Sequence, residues 1–270
     1  MAALDWFTRL DGREHADDDA LAEAAHEALT RYRLVHFVGI EGRDEAGLRR
    51  MYEAVFERLG VVLDVREDFR QGGVRTGERW IEINYDHDIP DLAAYRHSKN
   101  AQPWHTDSAY VSNPPDVMGM YCLRQAEEGG ATNFVAVEDV LGMLQSEEPE
   151  LAAILEGETF HFSKVHEHRR QPVFVRRPDG RLTMNYNYYT LDASESEAHK
   201  AANQAFFDWM QRRLRDAPAC LSVCMQPGEG VLWWDDYVIH GRDAFVATKT
   251  NDRFLWKTGI QVAGVSAPAR

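Results

Sequence analysis

At 270 residues, with 44% hydrophobic and 27% charged residues, the chain has an ordinary globular composition and the length of one large domain or two small ones. Forty-four acids against 30 bases give a formal charge of −14, a field that repels phosphate backbones and acidic lipid headgroups and argues against nucleic-acid and membrane partners. No apolar run approaches a membrane span, and the N-terminal MAALDWFTRLDGREHADDDA lacks the pattern of a signal peptide, so a cytoplasmic protein is expected.

The first part of the chain, to about residue 60, reads as helical. DDDALAEAAHEALTRYR carries acids at its start and Arg31 and Arg33 at its end, the order the helix dipole favours. RDEAGLRRMYEAVFERLG places Leu48, Met51, Tyr52, Val55, Phe56 and Leu59 on one stripe. Between them LVHFVGI is a short β-like run. From about Arg79 to residue 265 the pattern changes to short extended segments: RWIEINY, DVMGMYCL, TNFVAV, PVFVRR, LTMNY, LSVCMQ, GVLWW and FLWKTGIQV. Pro178-Asp179-Gly180 is a hairpin turn between two of them. A small helix, VEDVLGMLQ, follows TNFVAV.

A longer helix over about 193–216 interrupts the strands, with Asp192 and Glu195 as a capping box and Ala202, Ala205, Phe206, Trp209, Met210 and Leu214 inward. HFSKVHEHRRQP reads either as a lid over the site or as a solvated loop. MNYNYYTLD offers Tyr and Asn side chains that both pack and bind ligands. Three cysteines, Cys122, Cys220 and Cys224, make no disulfide framework and are expected as packed thiols, the last two on one strand face. The whole, residues 1–270, is expected to be a single α+β, mainly β domain built on a two-sheet core with flanking helices.

Chemistry concentrates in a few positions. In QPWHTDSAY, His105 and Asp107 are two apart, so on a strand both point to one side. They are two-thirds of the 2-His-1-carboxylate face that binds non-haem Fe(II) and leaves coordination positions open. Such a triplet also occurs by chance, as His15-Ala16-Asp17 shows. The third ligand is expected from His240, at the end of the apolar run EGVLWWDDYVIHG. Arg253, thirteen residues on, opens a strand-like run; a guanidinium in a barrel interior needs an anion, and its fork suits a carboxylate. Thr132, after Gly129 and Gly130, could donate to that carboxylate. Arg242 reads as an ion-pair partner of Asp243 or Asp252.

The ordered set of His-x-Asp, Gly-Gly-x-Thr, distant His and Arg, over Trp104 to Lys257, resembles the taurine dioxygenase (TauD/TfdA-like) family of Fe(II)- and 2-oxoglutarate-dependent oxygenases. The resemblance implies a double-stranded β-helix (jelly-roll) core. It implies Fe(II) held by His105, Asp107 and His240, with 2-oxoglutarate bound by Arg253 and Thr132 and dioxygen as co-substrate. Tyr110 would line the substrate pocket. Where sulfonate-binding relatives carry a second arginine in R-x-x-x-R, this chain has Lys257, a point charge in place of a fork, which disfavours a sulfonate and keeps a carboxylate open. Asp107 argues against halogenation, because related halogenases replace that ligand with a small residue.

The implied reaction couples decarboxylation of 2-oxoglutarate to succinate with hydroxylation, desaturation or cyclisation of a small polar, amino-acid-like or natural-product substrate. Assembly into a homo-oligomer stays open. Two alternatives share some of these features. A non-redox cupin-like metal-binding β-barrel, an isomerase or ligand-binding module, would keep the His/Asp cluster but has no use for Arg253 and Thr132; a structural β-sandwich would need neither.

Overall fold

The computed structural model describes residues 4–64, 78–89, 95–164, 166–264 and 266–268. The ends of the expected 1–270 unit, the 265 limit of the β core and Val165 of the HFSKVHEHRRQP segment lie outside these residues. In chain order the elements begin with β1 (Phe7–Asp11), α1 (Asp18–Arg31), β2 (Leu34–Val38), α2 (Glu45–Leu59), β3 (Gly60–Val62), β4 (Ile81–Asn84) and β5 (Gln102–His105). There follow β6 (Val117–Arg124), β7 (Thr132–Ala136), α3 (Val137–Glu147), α4 (Pro149–Gly157), β8 (Phe160–Lys164), β9 (Glu167–Gln171), β10 (Phe174–Arg176) and β11 (Leu182–Met184). The last are α5 (Glu197–Arg213), β12 (Leu221–Val223), β13 (Gly230–Trp234), β14 (Val238–Arg242) and β15 (Phe254–Val262).

Both N-terminal helices start on an aspartate: Asp17 accepts the Ala20 amide at 2.9 Å and Asp44 the Gly47 amide at 2.8 Å. Asp17 of the chance His-x-Asp triplet is thereby a cap. The whole expected apolar stripe of α2 is buried against the larger sheet. Gly119 of β6 lets that helix come close, since a Cβ there would sit 2.6 Å from the Phe56 ring.

The larger sheet runs β1-β2-β13-β6-β15-β3, with β4 also on β15, and the smaller runs β12-β7-β14-β5. Their inner faces pack together, Phe134 of β7 meeting Trp233 of β13 at a ring separation of 5.5 Å. This is the jelly-roll core with flanking helices. The outer face of the smaller sheet, with Val135 and Ile239, forms a second apolar layer with α3, α4 and α5. Strand alternation produces the division: Thr132 and Phe134, then Val238, His240 and Arg242, point in, while Val135 and Ile239 point out.

Several expectations need correction. β1 pairs in parallel with β2 inside a stretch read as helical, because pairing partners are set by tertiary contact. The 193–216 helix starts later, at Glu197, capped by Ser196, whose hydroxyl accepts the His199 amide at 3.1 Å. Asp192 instead caps the preceding turn through Ser194, and Glu195 accepts the His161 amide at 2.7 Å. Ala205 is exposed and Asn203 takes an inward place. HFSKVHEHRRQP is not a loop by form but lies in the β8–β9 pairing, bridged to Leu191 through Phe162. Cys122 is buried and Cys220, partly buried before β12, packs against the outer apolar layer, whereas Cys224, just past β12, is exposed and so is not a packed thiol. Burial pushes the Cys122 thiol up to about 12 and the Cys220 thiol up to about 11. The Pro178-Asp179-Gly180 turn is present, with Gly180 at φ +86° between β10 and β11.

Candidate active site

His105 and His240 face each other across the β5–β14 pairing, their ring centroids 4.2 Å apart. Asp107 completes the cluster: its carboxylate lies 3.7 Å from His105 Nε2 and 3.5 Å from His240 Nε2. One ligand atom of each residue falls within 4.8 Å of the others. Strand alternation is not what aims Asp107, because β5 ends at His105 and Asp107 begins the turn after it. The turn is held from two sides. Thr106 exchanges hydrogen bonds with the Tyr186 backbone, its amide donating to the carbonyl at 2.8 Å and its hydroxyl accepting the Tyr186 amide at 3.0 Å. The Asp107 amide donates to Asp235 Oδ2 at 2.8 Å, and Ser108 follows at φ 56°.

Protonation suits a cation. His105 Nδ1 donates to the Pro103 carbonyl at 2.8 Å, which leaves the Nε2 lone pair toward the cluster. Burial lowers the pKa of His105 and lowers that of His240 further, so both rings stay neutral. Burial alone would raise Asp107, but the Lys257 ammonium outweighs it and keeps the carboxylate ionised. Among the described residues one other trio, Asp86, His87 and Asp88, could gather ligand atoms, and it is largely exposed on a turn.

Arg253 is 1% exposed. Nη2 donates to the Gly130 carbonyl at 3.1 Å, and among the described residues Nε has no partner. Among the described residues no carboxylate forms an ion pair with it, and burial pushes its pKa down to about 10. Gly130, at φ +75°, makes room: a Cβ there would lie 2.9 Å from Arg253 Nε. Thr132 is buried on the inner face two residues on.

Lys257 pairs with Asp107 Oδ2 and its ammonium lies 5.4 Å from the centre of the Trp233 ring. Tyr110 is half-buried at the far end of the Asp107 turn, with Lys164 Nζ of β8 5.6 Å above its ring. From MNYNYYTLD, Asn185 donates to the Ala109 carbonyl at 3.1 Å and Tyr186 holds Thr106, so that segment supports the turn.

Asp235 is a residue the motifs do not mark. It is 1% exposed, accepts the Trp233 indole N–H at 3.0 Å and the Asp107 amide, and lies 3.8 Å from His240 Nδ1. Burial, then the Asp107 charge, raises its pKa well above the usual range. An acid directly after the apolar run GVLWW is the sequence signal for it. Arg242 does not pair with Asp243 or Asp252. Asp243 binds Arg215 at 2.7 Å and Asn133 at 2.7 Å, and Asp252 accepts the Thr248 and Lys249 amides.

The family described as taurine catabolism dioxygenase TauD, TfdA family matches residues 5–258 of this chain. A uridine-5'-phosphate dioxygenase from a Streptomyces species is 27% identical over 218 residues, 72% of this chain and 76% of the relative. Among solved structures, PvcB from Pseudomonas aeruginosa superposes with a TM-score of 0.65 at 17% identity, covering 95% of this chain and 86% of that one. A taurine dioxygenase from Burkholderia xenovorans gives 0.63 at 15% identity, covering 96% and 85%. At these identities the two structures establish the shared fold. Among the described residues no helix is long and apolar enough to cross a membrane.

Proposed function

The chain belongs to the TauD/TfdA family of Fe(II)- and 2-oxoglutarate-dependent oxygenases, and from that premise we propose which of its residues carry the reaction. His105, Asp107 and His240 hold the iron; Arg253 and Thr132 hold the distal carboxylate of 2-oxoglutarate; Lys257 and Tyr110 face the substrate. The observation that carries this reading is Arg253, a buried cation with no carboxylate partner among the described residues, on the same inner side as a neutral-imidazole, ionised-carboxylate trio. Two nitrogens and one oxygen are the donor set ferrous iron takes when positions must stay open. A cupin-like module would have the trio and no reason to bury Arg253.

Iron bound there supplies the oxidising power, coupling dioxygen reduction and decarboxylation of 2-oxoglutarate to hydroxylation, desaturation or cyclisation of substrate. The chain's own residues position and exclude water. Arg253 offers a fork to the distal carboxylate and so fixes the direction of the co-substrate. Asp235 keeps the Asp107 turn from moving by accepting its amide. Lys257 pairs with Asp107; with Asp107 engaged by a metal ion, its ammonium would be free to meet an anionic group of the substrate.

The substrate on this reading is a small polar molecule, amino-acid-like or a natural-product intermediate, with an anionic group. The relative named for uridine-5'-phosphate supports including phosphate-bearing molecules among the candidates. The chain acts as one cytoplasmic domain with neither nucleic acid nor membrane as partner. The test is iron-dependent release of succinate from 2-oxoglutarate, together with the visible charge-transfer band on anaerobic addition of both. Both signals should vanish in His105→Ala and His240→Ala; full succinate release by either variant would overturn the ligand assignment.

A further inference from the structure

Arg242 is a buried cation that this reaction leaves unused. It stands two residues beyond His240 on β14, on the same inward side, and is paired across the sheet with Thr132 of β7 and Gln102 of β5. It is 5% exposed. Nη2 donates to the Ser98 and Asn100 carbonyls, both at 2.7 Å, while among the described residues Nε has no partner. Among the described residues it forms no ion pair with a carboxylate, and the charged group that acts on it is another cation, Arg253.

The two guanidiniums share one aromatic ring. The Cζ atoms of Arg242 and Arg253 lie 5.0 Å and 5.4 Å from the centre of Phe245. Two like charges buried at one ring repel, and each loses its hydration; an anion that reaches both relieves both penalties. Tying the 98–100 backbone to β14 occupies Nη2 with neutral carbonyls, and unlike Arg33, whose buried guanidinium pairs with Glu138, Arg242 has no carboxylate among the described residues. A carboxylate has lone pairs enough for two arginine forks at once.

We propose that Arg242 is a second anchor for the distal carboxylate of 2-oxoglutarate, which sits between the guanidiniums of Arg242 and Arg253 with Thr132 beside them. The inference rests on the Arg253 assignment above and adds a residue to it. Arg242 is on this account a binding residue, and its effect falls on the co-substrate and not on the metal.

Calorimetric titration of the anaerobic Fe(II) enzyme with 2-oxoglutarate, and with glutarate, which lacks the keto oxygen, tests it. Arg242→Gln is expected to weaken both dicarboxylates by about tenfold or more, the scale of one charge-assisted hydrogen bond. Arg242→Lys should recover part of that loss, and Fe(II) affinity should stay at the parent value. Loss of dicarboxylate binding in Arg253→Gln with unchanged binding in Arg242→Gln would sink this inference and spare the Arg253 assignment. Unchanged binding in both would sink the assignment itself. A fall in melting temperature with unchanged affinity would make Arg242 structural only, which also overturns the proposal. Should Arg242→Gln fail to fold, the wild type decides: with isotope-labelled arginine, the Nε–H resonances of Arg242 and Arg253 should both shift on adding glutarate, and a shift of one alone rejects the second anchor.

Discussion

The two faces of the four-stranded sheet are built on opposite terms. Outward, Val135 and Ile239 join Phe206, Trp209 and the other apolar side chains of the helical layer, where the buried Asn203 of α5 is also present. Inward, the same two strands present Thr132, His240 and Arg242, and the buried atoms there that lack partners include His240 Nδ1, Arg242 Nε and Arg253 Nε. Unsatisfied buried polar groups destabilise a fold, whereas sealed apolar ones hold it together. One sheet thus divides the work: its outer face is mainly apolar packing, and its inner face carries the imidazoles and guanidiniums that ligands satisfy.

The sharpest way to break that division is a pair of substitutions at neighbouring positions of β14. His240→Leu removes a ligand and is expected to reduce succinate formation to background. It also replaces an unpartnered polar ring by an apolar side chain, so the urea midpoint of the metal-free protein should hold or rise, by about 1 kcal/mol. Ile239→Ala should do the reverse. It opens a cavity in the outer layer and lowers stability by about 2–5 kcal/mol, while the 2-oxoglutarate requirement of the folded enzyme stays at the parent value. Equal losses of stability in the two variants would erase the distinction between the faces.

Acid sharpens the same contrast. Burial depresses the pKa of His105 and His240 on the inner face, and that of His36 in the larger sheet, below the ordinary 6.5. The folded protein then binds fewer protons than the unfolded chain as pH falls through that value, so stability rises with pH across the window and is lost on acidification. His199, on the outer layer, works the other way. Although its burial opposes protonation, Glu195 and Glu158 raise its pKa, so its contribution is present in acid and fades as pH rises through the raised value. Each depressed histidine adds at most about 1.4 kcal/mol per pH unit. Urea midpoints of the metal-free protein at pH 7.5 and 5.5 should fall on acidification, and less steeply in His240→Leu; an unchanged slope would detach it from the inner-face histidines.

Much of this site was legible in one dimension because its chemistry needs particular residue types in a particular chain order. His105, His240 and Asp107 do gather, and Arg253 is buried with no acid paired to it among the described residues. What was not legible was who meets whom across the fold. Asp107 reaches the cluster because Tyr186 and Asp235 pin a turn, not because a strand alternates. Arg242 looks like a surface ion pair beside Asp243, yet Arg215, from beyond the end of α5, takes that acid and Arg242 turns inward. The strand runs, by contrast, were readable because burial on one or both faces writes itself into the local pattern.

The smallest effect concerns the start of α5, where local and tertiary signals disagreed. Asp192 and Glu195 have capping-box spacing, but Ser163 and Ser194 take up the Asp192 carboxylate and the His161 amide takes up Glu195. With both acids engaged by the β8 strand and the turn, the helix nucleates at the next hydroxyl, Ser196. Ser196→Ala should therefore lower stability by about 1 kcal/mol, the usual worth of a cap. Asp192→Ala should act differently: it loosens the junction between the β8–β9 hairpin and Leu191 without shortening α5. Amide exchange separates the two, since loss of the cap speeds exchange in the first turn of α5, and loss of Asp192 speeds it at Ser194 and along β8. Faster exchange in the first turn of α5 on removing Asp192 would restore the capping box and move the helix start back toward residue 193.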